Sequence, residues 1–316
     1  MSSLHQLLLL SFLLLPFSYA DLRLGFYRSS CPQAESIVQQ VVRERFNRDR
    51  SITAAFLRMH FHDCFVSGCD ASILIDATAG KPSEKNAGPN LTVRGNEVID
   101  EIKRRLEQAC PSTVSCADII TLATRDSVVL SGGPNYDVPT GRQDGLVSNP
   151  DNVNLPGPTL SVSQALQSFT EKGFNLAEMV TLLGAHSVGF SHCSFFQDRL
   201  TDFQGTGAPD RNMDPALVTR LRDTCAQPND PTVFLDQGTP NAMDNKWYSQ
   251  LIQKRGILQI DQALAIDRSS ASIVSGFASN DASFRQRFAA AMIKMGSLQL
   301  NGPGEIRKNC RAFNKA

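Results

Sequence analysis

The chain has 316 residues with 31 Lys+Arg and 31 Asp+Glu, so its formal net charge is zero. Its hydrophobic content of 41% and charged content of 20% are those of a globular protein with one large or two small domains. Because basic residues are not in excess, composition does not favour a protein that binds nucleic acid or an anionic membrane surface.

The N-terminus has the pattern of a secretory signal peptide. An uncharged apolar run over 7–15 precedes Pro16 and Ser18-Tyr19-Ala20, which puts small residues at the positions that a signal peptidase recognises. The alternative is a membrane anchor, but the run is too short to span a bilayer comfortably. We therefore predict a signal peptide over 1–20 and one exported domain over 21–316.

Hydrophobic periodicity predicts helices through most of the exported domain. Apolar residues recur at helical spacing over 37–46, 98–106, 119–130 and 284–295. Asn175, followed three residues later by Glu178, is typical of an N-cap pair and predicts a helix through Leu183. Segments rich in Gly, Pro and Asn interrupt the pattern at 78–90, 131–158 and 226–241. We predict a mostly α-helical domain with two lobes around a cleft.

The segment Arg58-Met59-His60-Phe61-His62-Asp63-Cys64 concentrates ionisable side chains in seven residues. In a helix, Arg58 and His62 share one face and His60 points away from them. A guanidinium beside an imidazole suits a reaction in which one group moves a proton and the other stabilises negative charge.

The exported domain contains all eight cysteines, and an even number in an exported chain indicates disulfides. The count alone does not fix the pairing, although Cys64 and Cys69 are close enough for a local bridge. A metal cluster is the alternative, but the sequence has no Cys-x-x-Cys pair.

The exported domain also contains four histidines, in two clusters. His60 and His62 form the first, and His186 and His192 form the second. His186 lies at the end of the helix predicted to open at Asn175, between small residues. Its position suits a buried core histidine or an axial ligand of a metal or haem, and position alone does not decide between them.

Two of these segments resemble those of a known family. The run from Arg58 to Ser72 resembles the distal-haem segment of the secretory (class III) plant peroxidases, and the run Leu182–Gly189 resembles their proximal-haem segment. The match extends from Gly25 to Cys310. It implies the plant-type haem peroxidase fold, mostly α, in which two helical lobes sandwich one haem b and four disulfides stabilise the domain.

On the proximal side, the resemblance implies that His186 binds the haem iron. Asp261 would accept a hydrogen bond from the other ring nitrogen and make the imidazole more electron-rich. Sequence alone would make Asp261 a solvated turn residue.

On the distal side, the resemblance implies that His62 moves the proton of hydrogen peroxide, that Arg58 stabilises developing charge and that Phe61 limits access. Asn90 would orient His62, and the Glu84 carboxylate would support Asn90. Asn90 also opens the only N-glycosylation sequon, Asn90-Leu91-Thr92. A glycan on Asn90 is incompatible with its role in orienting His62.

The resemblance further implies two Ca²⁺ sites made of carboxylate, hydroxyl and carbonyl oxygens. The first would use Asp63, Val66, Gly68, Asp70 and Ser72. Without the resemblance, this segment would be a surface loop closed by Cys64–Cys69. The second site would use Ser187, Asp236, Thr239, the Ala242 carbonyl and Asp244, with Ser187 where the family commonly has Thr.

The family's disulfide pattern corresponds here to Cys31–Cys110, Cys64–Cys69, Cys116–Cys310 and Cys193–Cys225. Cys116–Cys310 would close a very long loop, and a disulfide that does so stabilises the fold by roughly 5 kcal/mol. Pro156 and Phe195 correspond to residues at the exposed haem edge, where donors bind. Trp247, the only tryptophan, is predicted to be a core residue.

The resemblance implies a secreted monomer that reduces H2O2 and oxidises small phenolic or other aromatic donors in one-electron steps. It implies an extracellular or cell-wall location, with the vacuole as the alternative, and lignin-type coupling as the usual context. Two other classes are a secreted zinc hydrolase, disfavoured by the lack of a His-Glu-x-x-His motif, and a calcium-stabilised binding protein without catalysis.

Overall fold

The computed structural model describes residues 22–298, 300 and 302–315. The predicted signal peptide lies outside these residues. The helices of the described part are α1 (Ala34–Phe46), α2 (Ile52–Ser67), α3 (Asn96–Ala109), α4 (Cys116–Leu130), α5 (Val162–Glu171), α6 (Leu176–Leu183), α7 (Gln197–Thr201), α8 (Pro215–Cys225), α9 (Lys246–Ile252), α10 (Gln259–Ile266), α11 (Ala271–Ser279) and α12 (Asp281–Gly296). The prediction of a mostly α-helical domain is confirmed.

Helices α1 to α4 pack against one another and form the first lobe. The apolar stripe of α3 is buried completely, with Val98, Ile99, Ile102 and Leu106 all in the core. Burying such a side chain stabilises the fold by about 1.5–3 kcal/mol relative to leaving it exposed, so the stripe fixes which face of the helix turns inward.

Helices α6 and α9 to α12 form the second lobe, in which α12 packs on α6 and α11 packs on α9. The predicted N-cap of α6 is confirmed. The Asn175 side chain accepts a hydrogen bond from the Glu178 amide at 3.0 Å, and the Glu178 carboxylate accepts one from the Asn175 amide at 2.9 Å. Helix α2 joins the lobes, because it contacts α12 and the 3₁₀ turn Gly184–Ser187 that follows α6.

Two short strands lie outside the predicted helical pattern. β1 (Phe190–His192) pairs antiparallel with β2 (Thr232–Phe234), and Phe190 lies opposite Phe234. Periodicity predicted no strand in either segment, because three residues are too few for an alternating pattern to be recognised. This pair places the chain that leaves the 184–187 turn beside the segment 226–241.

The four disulfides pair the cysteines as predicted: Cys31–Cys110, Cys64–Cys69, Cys116–Cys310 and Cys193–Cys225. Cys116–Cys310 joins residues 194 apart in sequence and fastens the C-terminal segment to the start of α4. Among the described residues, no helix combines the length and apolar character needed to cross a bilayer.

Candidate active site

Arg58 and His62 lie one turn apart on the same face of α2, as their spacing predicts. The Arg58 Nε atom donates toward His62 Nε2 at 3.4 Å. The two terminal nitrogens of the guanidinium are fixed from outside the helix, since Nη1 donates to Thr92 Oγ1 at 2.9 Å and Nη2 donates to the Pro89 carbonyl at 2.8 Å. The segment 89–92 therefore holds the cation against the imidazole.

The hydrogen bonds of Asn90 determine which nitrogen of His62 carries the proton. Asn90 Nδ2 donates to the Glu84 carbonyl at 2.8 Å, so the amide oxygen must face His62. That oxygen lies 2.7 Å from His62 Nδ1, which must then be the donor. Nε2 is left without a proton and faces Arg58, which is the arrangement that a base requires.

The surroundings of His62 keep its ring neutral. Burial and the nearby charge of Arg58 lower the pKa of His62 to about 4. The side chain is 8% exposed. A neutral imidazole with an unprotonated Nε2 can accept a proton over the whole range above that pKa.

Glu84 contributes to this network through a different atom from the one predicted. Its main-chain carbonyl, and not its carboxylate, accepts the bond from Asn90. The carboxylate is buried, and burial together with the charge of Asp70 raises its pKa to about 7. The Glu84 side chain therefore lies beside the predicted calcium residues and not behind Asn90. A sequence match could not distinguish these two positions.

The buried amide of Asn90 bears on the glycosylation sequon. The side chain is 4% exposed, and a glycan would have to attach to the Nδ2 atom that donates to Glu84. We expect peptide mapping of protein secreted from a eukaryotic host to show an unmodified Asn90. Because the chain has no other sequon, the intact mass should equal that of the polypeptide and its cofactors. A glycan on Asn90 would contradict its proposed role.

His60 lies on the opposite face of α2, as predicted, and is buried in the core. Its Nε2 atom lies 3.4 Å from Thr121 Oγ1 of α4. His60 also lies close to the sulfur atoms of Cys64 and Cys69, but these form a disulfide and cannot bind a metal as thiolates. Within the described residues this is the only such cluster found.

Burial and the charge of Arg142 lower the pKa of His60 to about 3. In the unfolded chain this imidazole has its ordinary pKa of about 6.5. As the pH falls through that value the unfolded state gains a proton that the folded state cannot take, so stability is lost between pH 6.5 and pH 3. We expect a His60→Gln variant to lose less stability than the parent between pH 7 and pH 4, by on the order of 3 kcal/mol. Guanidinium unfolding at each pH measures this, and parallel curves would contradict it.

The proximal pair joins two segments that are 75 residues apart. His186 lies in the short turn after α6, and its Nδ1 atom lies 2.9 Å from Oδ1 of Asp261 on α10. Burial acts to lower the pKa of His186, but the Asp261 carboxylate outweighs burial and raises that pKa. Asp261 is fully buried, and its Oδ2 atom has no partner among the described residues. Only Nδ1 of His186 has such a partner, so Nε2 can serve as an axial ligand and the residues fit a haem.

Trp247 of α9 is fully buried, as predicted, and its ring packs against His186. The two ring centroids are 5.8 Å apart and the planes are nearly perpendicular at 86°. This contact restricts rotation of the imidazole, so Trp247 together with Asp261 sets the direction of Nε2.

The distal and proximal segments lie close together. Helix α2 contacts the Gly184–Ser187 turn, and the charge of Arg58 also acts on the pKa of His186. Gly189 allows the approach, because a Cβ atom at this position would lie 2.8 Å from the Ala54 side chain. The five residues Arg58, His62, Asn90, His186 and Asp261 thus lie in two groups on neighbouring segments, which disfavours the alternative of a binding protein without catalysis.

The predicted first calcium site contains buried oxygen atoms without partners. Both carboxylate oxygens of Asp63 and the hydroxyl of Ser72 have no hydrogen-bond donor in the described part of the chain. Burial and then the charge of Asp70 raise the pKa of Asp63 well above its usual range. A bound cation would compensate this buried negative charge, so the donor set fits Ca²⁺.

The surrounding loops position the residues predicted for this first site. Gly145 passes so close to Asp70 that a Cβ atom would lie 2.1 Å from Oδ2, so only glycine fits. The Val66 carbonyl accepts a hydrogen bond from Lys172 at 3.0 Å. Gly68 follows the end of α2 with φ of 94°, a left-handed value that favours glycine.

The predicted second calcium residues also lie together. Thr239 Oγ1 donates to Asp236 Oδ2 at 3.2 Å or to Asp244 Oδ1 at 3.1 Å. The Ala242 carbonyl accepts from the Asp244 amide at 3.0 Å, and Ser187 Oγ donates to Met243 Sδ at 3.2 Å. Asp236 and Asp244 are close enough for their charges to interact. These oxygens have hydrogen-bond partners already, so they fit Ca²⁺ only if the cation replaces some of those bonds.

The predicted donor-binding residues lie on the surface. Phe195 is 46% exposed, in the turn after β1. Pro156 is half-buried in a loop whose Pro158 carbonyl accepts from the Ile260 amide, next to Asp261. Phe61 packs against Phe65 with ring centroids 4.2 Å apart, so it is fixed rather than mobile.

Sequence reasoning missed several supporting residues. Thr92 and Pro89 hold Arg58, Trp247 packs on His186, and Gly145 shapes the first calcium site. Thr92 is close to Asn90 in sequence, and this was a signal that it contacts Arg58. Nothing local in the sequence indicates the other contacts, because they join segments distant along the chain.

Comparison with known proteins is consistent with this geometry. A family model described as "Peroxidase" matches residues 38–280. The chain is 59% identical to Peroxidase 44 of Arabidopsis thaliana, over 99% of this chain and 100% of the relative. It is 58% identical to Peroxidase 57, over 97% of each chain, and 55% identical to Peroxidase 28, over 98% of each, both of the same species. The chain therefore belongs to the plant class III peroxidases and has peroxidase activity.

Proposed function

We propose that this protein is a secreted haem peroxidase that reduces hydrogen peroxide and oxidises phenolic or other small aromatic donors one electron at a time. The observation that carries the proposal is the hydrogen bonding of His62. Asn90 holds its Nδ1 proton, and the unprotonated Nε2 lies beside a guanidinium that is fixed from outside the helix. These groups suit the transfer of a proton within peroxide while charge develops next to it.

Haem bound through His186 would supply the iron at which the peroxide bond breaks and would store the oxidising equivalents that donors consume. The polypeptide supplies orientation and proton transfer. His62 Nε2 accepts the proton of one peroxide oxygen and delivers it to the departing oxygen, which leaves as water. Arg58 donates hydrogen bonds to the negative charge on that oxygen, and Asp261 keeps the imidazole of His186 oriented and electron-rich.

Two Ca²⁺ ions are part of the proposal, one at each predicted site. Asp63 directly follows His62 on α2, so an ion bound by Asp63 would fix the last turn of the helix that carries the base. The unpartnered oxygens of Asp63 and Ser72 support the first site. The hydrogen-bonded cluster of Asp236, Thr239 and Asp244 supports the second.

We assign Pro156 and Phe195 to the binding of aromatic donors, because an exposed ring offers them an apolar surface. The proposed location is extracellular, in the cell wall, with the vacuole as the alternative destination. The disulfides support it, since such bonds persist in oxidising compartments. Phenol coupling of the lignin type would be the context, and a monomer the functional unit.

An absorption spectrum of the purified protein tests the proposal. We expect an intense Soret band that shifts when H2O2 is added and returns when a phenol such as guaiacol is supplied. A colourless protein with stoichiometric zinc would favour a hydrolase, and haem without peroxide turnover would favour a binding protein. A fluorescent fusion with and without residues 1–20 tests the location, which should change from the wall to the cytosol.

A further inference from the structure

An open groove beside the β1–β2 pair is lined by none of the residues assigned above. It has a volume of about 420 Å³, and Phe190 and Phe234 line one side of it. The two residues are directly opposite each other in the strand pair. They are 38% and 44% exposed, so two phenyl rings present their surfaces to the same groove. Apolar rings side by side on a surface are a common mark of a binding site.

The other side of this Phe190–Phe234 groove is basic. Arg48 and Arg50 line it and are exposed, and neither forms an ion pair with a carboxylate of the described residues. Asp49 lies between them in sequence, but its carboxylate accepts a hydrogen bond from Arg94 at 3.1 Å and is neutralised by it. Arg48 and Arg50 therefore give the groove positive charge without an ion-pair partner in the described chain, although the charge of Arg48 also acts on Glu44.

Arg94 has a different part in the groove. Its guanidinium lies over the Phe190 ring, 5.5 Å from the centroid, and also donates to the Ser51 carbonyl at 2.8 Å. These contacts and the ion pair with Asp49 hold the guanidinium in place, so Arg94 positions the Phe190 ring. Arg48 and Arg50 remain as the cations that a ligand can reach.

We propose that the Phe190–Phe234 groove binds a small aromatic carboxylate. The aromatic ring would stack on the two phenyl rings, and the carboxylate would accept charge-assisted hydrogen bonds from Arg48 or Arg50. Rings alone would suit any apolar ligand and arginines alone any anion, whereas the combination selects a molecule with both parts. The volume suits a molecule of one or two rings. The groove shares no residue with Pro156 and Phe195, so this site is separate from the one proposed for electron donors.

Binding can be measured on the haem-loaded protein by ¹⁹F NMR titration with 4-fluorocinnamate. This probe has no phenol group, and no peroxide is added, so the result does not depend on donor oxidation. In an open groove we expect a dissociation constant on the order of 1 mM or below. The neutral analogue 4-fluorocinnamamide should bind at least about fivefold more weakly, because it forms no charged pair with arginine.

Three variants locate the site. Phe234→Ser and Arg50→Gln each remove one exposed side chain and should weaken 4-fluorocinnamate binding by about fivefold or more. Phe313→Ser is the matched control, because Phe313 is 39% exposed and lies next to Arg307 but outside the groove. It should bind the probe as the parent does. The proposal would be overturned by groove variants that bind like the parent, by equal affinity for acid and amide, or by the absence of binding at 10 mM probe, about ten times the expected constant.

Discussion

Replacement of His62 by alanine is expected to slow the reaction with hydrogen peroxide by about 10²–10⁴-fold, the usual contribution of a general acid–base group. The variant should still bind haem, because His186, the proposed axial ligand, belongs to a different segment and keeps its bond to Asp261. Stopped-flow measurement of the Soret change on mixing with H2O2 gives the rate.

The size of this effect depends on how well the structure orients His62 and keeps its ring neutral. Its tautomer is fixed by Asn90, its pKa is about 4, and no second base replaces it, since His60 is on the other face of α2. Arg58 cannot take over, because a guanidinium does not give up its proton near neutral pH.

His192→Ala is a suitable control for the His62 experiment. His192 is a half-buried histidine of β1 whose Nδ1 atom contacts the carbonyl and the carboxylate of Asp230. Its replacement should leave the rate unchanged. Near-normal kinetics in His62→Ala, with haem content verified, would show that the distal assignment is wrong.

Replacement of Asp63 by asparagine is expected to change stability in opposite directions with and without calcium. With calcium present, the variant loses a charged ligand, so its calcium content should fall from two ions per chain to one. A ligand at 100 times its dissociation constant stabilises a protein by about 2.7 kcal/mol, and losing it should lower Tm by roughly 5 °C.

In a chelator the order should reverse. The parent then retains a fully buried carboxylate with two unpartnered oxygens next to Asp70, which is costly. Asparagine removes that charge, so the variant should unfold at a higher temperature than the parent. Calorimetry with calcium and with chelator, with the metal content measured in parallel, checks both expected changes in Tm.

Asp137→Asn supplies the control for the Asp63 experiment, because Asp137 is exposed and is not among the proposed ligands. It should leave Tm and calcium content unchanged in either buffer. If Asp63→Asn lowered Tm equally with and without chelator, Asp63 would have a purely structural role and not bind the ion.

The sequence predicted the helical elements well where the physical signal is local. The stripe of α3 and the cap pair of Asn175 and Glu178 each depend on residues within a few positions of one another. The spacing of Arg58 and His62 likewise predicted that they share a face of α2. The strands β1 and β2 were missed because their partner is distant and each is only three residues long.

The candidate site could be predicted only in part from local signals. Periodicity gives no indication that Asp261 meets His186, and by itself it would make Asp261 a turn residue. Only the resemblance to a family connected the two. Even the resemblance did not establish which atom of Glu84 holds Asn90, because the carbonyl and the carboxylate belong to one residue and only the folded chain separates them.

Helix α2 carries the distal pair, the proposed calcium ligand Asp63 and a half-cystine within Arg58–Cys64. Each of them depends on its angle around one helix axis, and successive residues differ by about 100°. Inserting one residue between Arg58 and His62 would move the imidazole away from the guanidinium. The helix could not then keep both Asp63 and Cys64 in place. This segment can therefore accept substitutions during evolution far more readily than a change in length.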